Sequence, residues 1–151
     1  MDIYYKTISG SGKQMIHYVC KYAPVELFKG FGQECAVLEE MPENFDKSDK
    51  IAHANLCGFG KSVIQAVLED KVEELVLVNC CDSMRRVYDI IENTKKCKFL
   101  YMLDLPHEDN ECENIKFAQS ILRLKNAYER YSHRTFDREL FIKSFAKPES
   151  E

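Results

Sequence analysis

No apolar run in the sequence approaches the roughly 20 residues that a membrane-spanning helix needs, so none is expected. The start, Met1-Asp-Ile-Tyr-Tyr-Lys6, lacks the basic opening and long apolar stretch of a signal peptide, and the chain reads as cytoplasmic. Basic residues are not in excess: 21 Lys and Arg stand against 25 Asp and Glu, a net charge of −4. That balance argues against a general nucleic-acid binder, which needs a concentrated cationic surface to neutralise phosphates. There is no Cys-x-x-Cys pair, no histidine pair in zinc-helix spacing, no nucleophile elbow and no internal repeat. Phosphate loops are also incomplete. Gly10-Ser-Gly-Lys13 has no serine or threonine after its lysine, and Gly60-Lys-Ser62 has Asn55 where the first glycine belongs. Gly58 and Gly60 supply only half of a dinucleotide fingerprint. Their simpler use is close backbone approach at a helix entrance.

What is present is enough for one folded domain. The 151 residues are 45% hydrophobic and 30% charged, ordinary values for a globular chain with a substantial core. Seven cysteines is a high and odd number for a reducing compartment. Thiols kept reduced in such number are buried filler or ligands.

Strand and helix signals alternate along the chain. Met15–Val19 reads as a strand, Pro24–Lys29 as a helix stopped by Gly30 and Gly32, and Glu34–Leu38 as a second strand. Residues 41–50 are polar and read as a surface loop. Helical spacing returns over 58–68, and Leu75–Val78 is the all-apolar run of a central parallel strand. Ser83–Asn93 reads as helix, with Asp82 as its cap, and Phe99–Leu103 as another buried strand. A long helix follows from about Asn114 to Tyr131, with Ile115, Ala118, Ile121, Leu122, Lys125 and Tyr128 as its inner stripe. A last helix over Arg138–Phe145 is capped by Thr135 or Asp137. Strands separated by helices predict a doubly wound α/β domain: a mostly parallel sheet of about four strands flanked by helices, with a helical C-terminal segment.

The cysteines fall at informative places. Cys20, Cys57 and the Cys80–Cys81 pair lie where a strand or turn gives way to a loop or helix. In an open α/β sheet those ends share one edge, where ligands bind. Cys20, Cys57 and Cys81 each precede a helix whose amino end favours a thiolate, which suits metal or iron–sulfur ligation. Free cysteine is also among the most buried residue types, and spacing alone does not separate the two readings. If strand geometry persists, Cys80 and Cys81 point oppositely and only one reaches a site. Cys35 and Cys97 read as core filler and Cys112 as incidental. His53 is a possible donor near Cys57, His17 a packed strand residue. Arg85 and Arg86 open a helix where the dipole disfavours cations, so an anion, a carboxylate or solvent should offset them.

Three stretches resemble the amino-terminal part of the 2-hydroxyacyl-CoA dehydratase family, which includes benzoyl-CoA reductase subunits. They are Tyr18-x-Cys20-x-Tyr22-x-Pro24-x-Glu26-Leu27, Asn55-Leu-Cys57-x-Phe59-x-Lys61, and Asn79-x-Cys81-Asp82-Ser83-x-Arg85-Arg86-x-Tyr88-Asp89. Phe99–Pro106 and the long helix after it continue the likeness. The resemblance implies an oxygen-sensitive iron–sulfur protein of anaerobic metabolism, with a 4Fe–4S cluster on Cys20, Cys57 and Cys81. It also implies partners: an ATP-hydrolysing activator that delivers single electrons, and an acyl-CoA thioester whose ketyl radical expels the neighbouring hydroxyl. Family subunits are well over twice as long, with a second lobe that completes the cluster and substrate cleft. The expectation is therefore a single α/β domain over 1–151 resembling the amino-terminal lobe, incomplete for catalysis alone. A short non-catalytic relative that docks a full-length subunit is the alternative, and a zinc–thiolate site a third.

Overall fold

A computed structural model describes residues 15–39 and 41–146; the Gly10–Lys13 stretch lies outside them. Strands β1 (Ile16–Tyr18), β2 (Cys35–Val37), β3 (Glu74–Val78) and β4 (Phe99–Leu103) form one sheet in the order β2-β1-β3-β4. Every neighbouring pair is parallel, the doubly wound arrangement expected. Helices α1 (Val25–Lys29), α2 (Gly58–Leu68), α3 (Asp82–Thr94), α4 (Glu111–Ser132) and α5 (Arg138–Ser144) flank it.

β3 is the floor of the molecule. All five of its residues are buried, as a strand covered on both faces must be. Its side chains alternate between two cores. Leu75 and Leu77 meet Val63, Ile64 and Val67 of α2 and Met84, Val87 and Ile91 of α3. Val76 faces the other way, toward Leu27 and Phe28 of α1 and Leu124 and Tyr128 of α4. The second core is organised by the Tyr128 ring, which meets Phe28, Phe31 and Phe99 edge-on at 5.2, 5.1 and 5.2 Å, a geometry that the ring quadrupoles favour.

Local chemistry sets the helix ends. Asn110 and Asp137 sit in extended conformation and accept backbone N–H bonds from the first turns of α4 and α5. Gly32, at φ 69°, carries the turn between α1 and β2. Residues 41–50 include a short 3₁₀ turn, Ser48–Lys50, held because Gln65 Oε1 accepts the N–H groups of Lys47 and Ser48 at 3.1 and 2.8 Å.

Two expectations are corrected. Asp82 is the first residue of α3, and Cys81 is its N-cap. On α4, the residues that pack inward are Leu124 and Tyr128 with Phe117, Ile121 and Tyr131 beside them. Ile115, Ala118 and Leu122 are exposed. The aromatic cluster around Tyr128 fixes the rotation of the helix and leaves those three outside.

Candidate functional site

The strand order places the topological switch point between β1 and β3. The chain leaves β1 for β2 on one side and returns as β3 on the other, and such a divergence opens a crevice at the carboxyl edge. Two residues past the end of β1 stands Cys20; two past the end of β3 stands Cys80, followed by Cys81. Tyr18 and Val76 are register partners in these adjacent strands, so the two cysteine-bearing loops leave the sheet side by side.

Local structure turns each thiol differently. Cys20 is half-buried, and its carbonyl accepts the Ala23 N–H at 2.9 Å in the turn before α1. The Cys80 N–H donates to the Val78 carbonyl at 2.8 Å, a tight bend that ends β3. Burial and the adjacent Cys81 and Cys20 push the Cys80 thiol up to about 11. Cys20, Cys80 and Cys81 thus share one electrostatic neighbourhood. Cys81 is extended and exposed at the N-cap of α3, and its side chain makes no capping bond.

Cys57 is the N-cap of α2, and its Sγ accepts the Gly60 N–H at 3.3 Å. A thiol in that position feels the partial positive charge of the helix start. Packing is tight at Gly60: a Cβ there would stand 3.0 Å from Val87 Cγ2 and 3.3 Å from Leu56 Cγ. Gly58 has open space around it, so close approach explains only one of the two glycines. His53 is exposed, and its Nδ1 accepts the Asn55 N–H at 3.1 Å in its own turn.

The other cysteines sit elsewhere. Burial pushes Cys35 up to about 12 and Cys97 up to about 11, as befits thiols held in packed surroundings. Cys112 is exposed in the first turn of α4. Among the described residues, no three His, Cys, Asp or Glu side chains are grouped so as to hold a metal ion. Thiolates are soft donors, the ligand type that iron–sulfur and zinc centres take.

Beside the cysteines lies a polar chain that periodicity does not reveal. Arg85 Nε donates to Asn79 Oδ1 at 2.7 Å, and Asn79 Nδ2 donates to Asp104 Oδ1 at 3.1 Å. The cation near the start of α3 is therefore linked through an amide to a carboxylate after β4. These residues, with Tyr88, Asp89, Tyr101 and Met102, line an open cleft of about 520 Å³. Burial raises both tyrosines above the ordinary phenol range. The sequence signal for this wall was the spacing of Arg85, Tyr88 and Asp89, which puts all three on one side of α3.

No helix among the described residues is long and apolar enough to cross a membrane. A family model described as 2-hydroxyglutaryl-CoA dehydratase, D-component, matches residues 20–149. No curated protein matches the chain.

Proposed function

The chain belongs to the 2-hydroxyglutaryl-CoA dehydratase D-component family, and from that premise we propose that it is the cluster-holding lobe of a 2-hydroxyacyl-CoA dehydratase-type protein. Cys20, Cys57 and Cys81 would hold a 4Fe–4S cluster, which when bound supplies single electrons to an acyl-CoA thioester. The observation that carries this reading is the delivery of Cys20 and Cys81 to the carboxyl edge beside the β1/β3 switch point. The chain's own contribution would be to position the thiols. The starts of α2 and α3 place backbone N–H groups and the positive dipole end next to Cys57 and Cys81. A family subunit or second lobe would complete the ligation and the acyl-CoA cleft, and a separate ATP-dependent activator would supply the electron.

Anaerobic reconstitution of the chain with iron and sulfide tests this. The expected product is brown, with iron and sulfide in equal amounts, and loses most of its iron in Cys20→Ser, Cys57→Ser and Cys81→Ser. Cys97→Ser and Cys112→Ser should keep it. A colourless protein without iron, or one that takes only zinc, would overturn the assignment.

A second reading is favoured by the outer face of α4, where Ile115 and Leu122 are more than half exposed at 53% and 54%. In it, the chain is a non-catalytic module that docks a full-length family subunit. Iron-free co-purification with such a subunit, lost in an Ile115→Lys, Leu122→Lys double variant, would support it. Failure to associate would remove it.

A further inference from the structure

The two edges of the sheet are built differently. β2 is three residues long and bounded by Glu34 and Glu39; short length and nearby charge are ordinary protections against strand addition. β4 is five residues, Phe99-Leu-Tyr-Met-Leu103, with no charge, proline or glycine. Among the described residues it pairs with β3 alone. The open cleft reaches it at Tyr101 and Met102.

The hydrogen bonds show which groups face out. The Phe99 N–H donates to the Glu73 carbonyl at 3.3 Å, and the Leu103 carbonyl accepts the Asn79 N–H at 2.9 Å. Phe99 and Leu103 therefore aim their main-chain groups at β3. By the two-residue period of a strand Tyr101 does so too, while Leu100 and Met102 aim theirs away from the sheet.

We propose that β4 pairs antiparallel with β4 of a second copy of this chain, across a two-fold axis at Tyr101, joining two sheets into one. The register follows from the strand itself. With the axis at Tyr101, Leu100 of each copy faces Met102 of the other, and both outward residues of both strands are used. The same register sets Lys98 of one copy against Asp104 of the other, opposite charges at both ends of the pairing. An axis at Leu100 would instead put Met102 against Lys98, and one at Met102 would put Leu100 against Asp104. The Lys98 ammonium bonds Glu73 at 2.9 Å, and its side chain is 59% exposed, so it can reach a second carboxylate. A two-fold arrangement satisfies the edges of both chains at once and closes the assembly at two.

Sedimentation velocity over a concentration series of the full chain tests the pairing. The expected result is a monomer–dimer equilibrium. Met102→Pro removes an outward N–H and no bond to β3, so it should weaken the dimer at least about tenfold while circular dichroism stays unchanged. Lys98→Asp should also weaken it, and adding Asp104→Lys should restore it. A chain that is monomeric throughout overturns the proposal, as does a dimer that Met102→Pro leaves equally tight. If Met102→Pro does not fold, the charge exchange decides: a dimer indifferent to Lys98→Asp overturns the proposal, and one weakened and then rescued supports it.

Discussion

The Tyr131 hydroxyl donates a 2.8 Å hydrogen bond to Oε1 of Glu74, a carboxylate only 1% exposed at the first residue of β3. The bond ties the last turns of α4 to the amino end of the central strand. A buried carboxylate that loses a donor keeps its desolvation penalty. Tyr131→Phe should therefore lower stability by about 1–3 kcal/mol. Urea unfolding reads this as a lower midpoint with an unchanged slope, and an unaltered midpoint would show that the bond contributes nothing net.

Gly58 and Gly60 are both in the first turn of α2 and should respond oppositely to alanine. At Gly58 a methyl meets nothing within 4 Å, so Gly58→Ala should gain up to about 1 kcal/mol of helix propensity. At Gly60 the methyl meets Val87 Cγ2 at 3.0 Å, and valine is stiff about χ1. Gly60→Ala should lose about 1–2 kcal/mol despite the same propensity gain. Thermal melts of the two variants check the contrast; a shared direction would refute the packing argument.

How far the sequence spoke depends on the range of the interaction that decides each feature. The bounds of α2 and β4 were readable because their determinants are local: Cys57 and two glycines before an apolar stripe, and an unbroken apolar run of strand length. The arrival of Cys20 and Cys80 at the switch point followed from the strand-helix alternation. The inner face of α4 was not readable. Ile115, Ala118 and Leu122 have the same helical spacing as the residues actually buried, and the choice is made by Phe28, Phe31 and Phe99, which arrive from distant segments. The Arg85–Asn79–Asp104 chain was hidden for the same reason, since Asn79 and Asp104 lie 25 residues apart and meet only because β3 and β4 are neighbours.

Thiol accessibility should divide the seven cysteines. Cys57, Cys80, Cys81 and Cys112 are exposed, with the Cys80 thiol pushed up to about 11, whereas Cys35 and Cys97 are half-buried with thiols pushed up by burial. Alkylation proceeds through the thiolate, so both access and ionisation disfavour the second group. Timed iodoacetamide labelling at pH 8 with peptide mass spectrometry should show Cys57, Cys81 and Cys112 modified at least about tenfold faster than Cys35. Equal rates would mean that the β2 edge opens readily.

Stability should fall on the alkaline side, and Cys35 should be one cause. Its thiol rises from 9.0 to about 12 on folding because burial raises it far more than Lys29 lowers it, with Glu26 and Glu74 adding to the rise. Between those values the folded chain keeps a proton that the unfolded chain has released. Fewer protons on the unfolded state means that stability declines with rising pH, by up to about 1.4 kcal/mol per pH unit for one such group. Below pH 9 the contribution is fully present; above it, it is progressively lost. Cys97, pushed up to about 11, acts in the same direction over a narrower window, and Tyr128 is raised by burial as well. Urea midpoints from pH 8 to 10.5 should drop in the native chain. In a Cys35→Ala, Cys97→Ala double variant the slope of that decline should be shallower, whatever the variant loses in absolute stability. A slope identical to that of the native chain would assign the alkaline loss to the other groups raised on folding, Cys80 and the tyrosines.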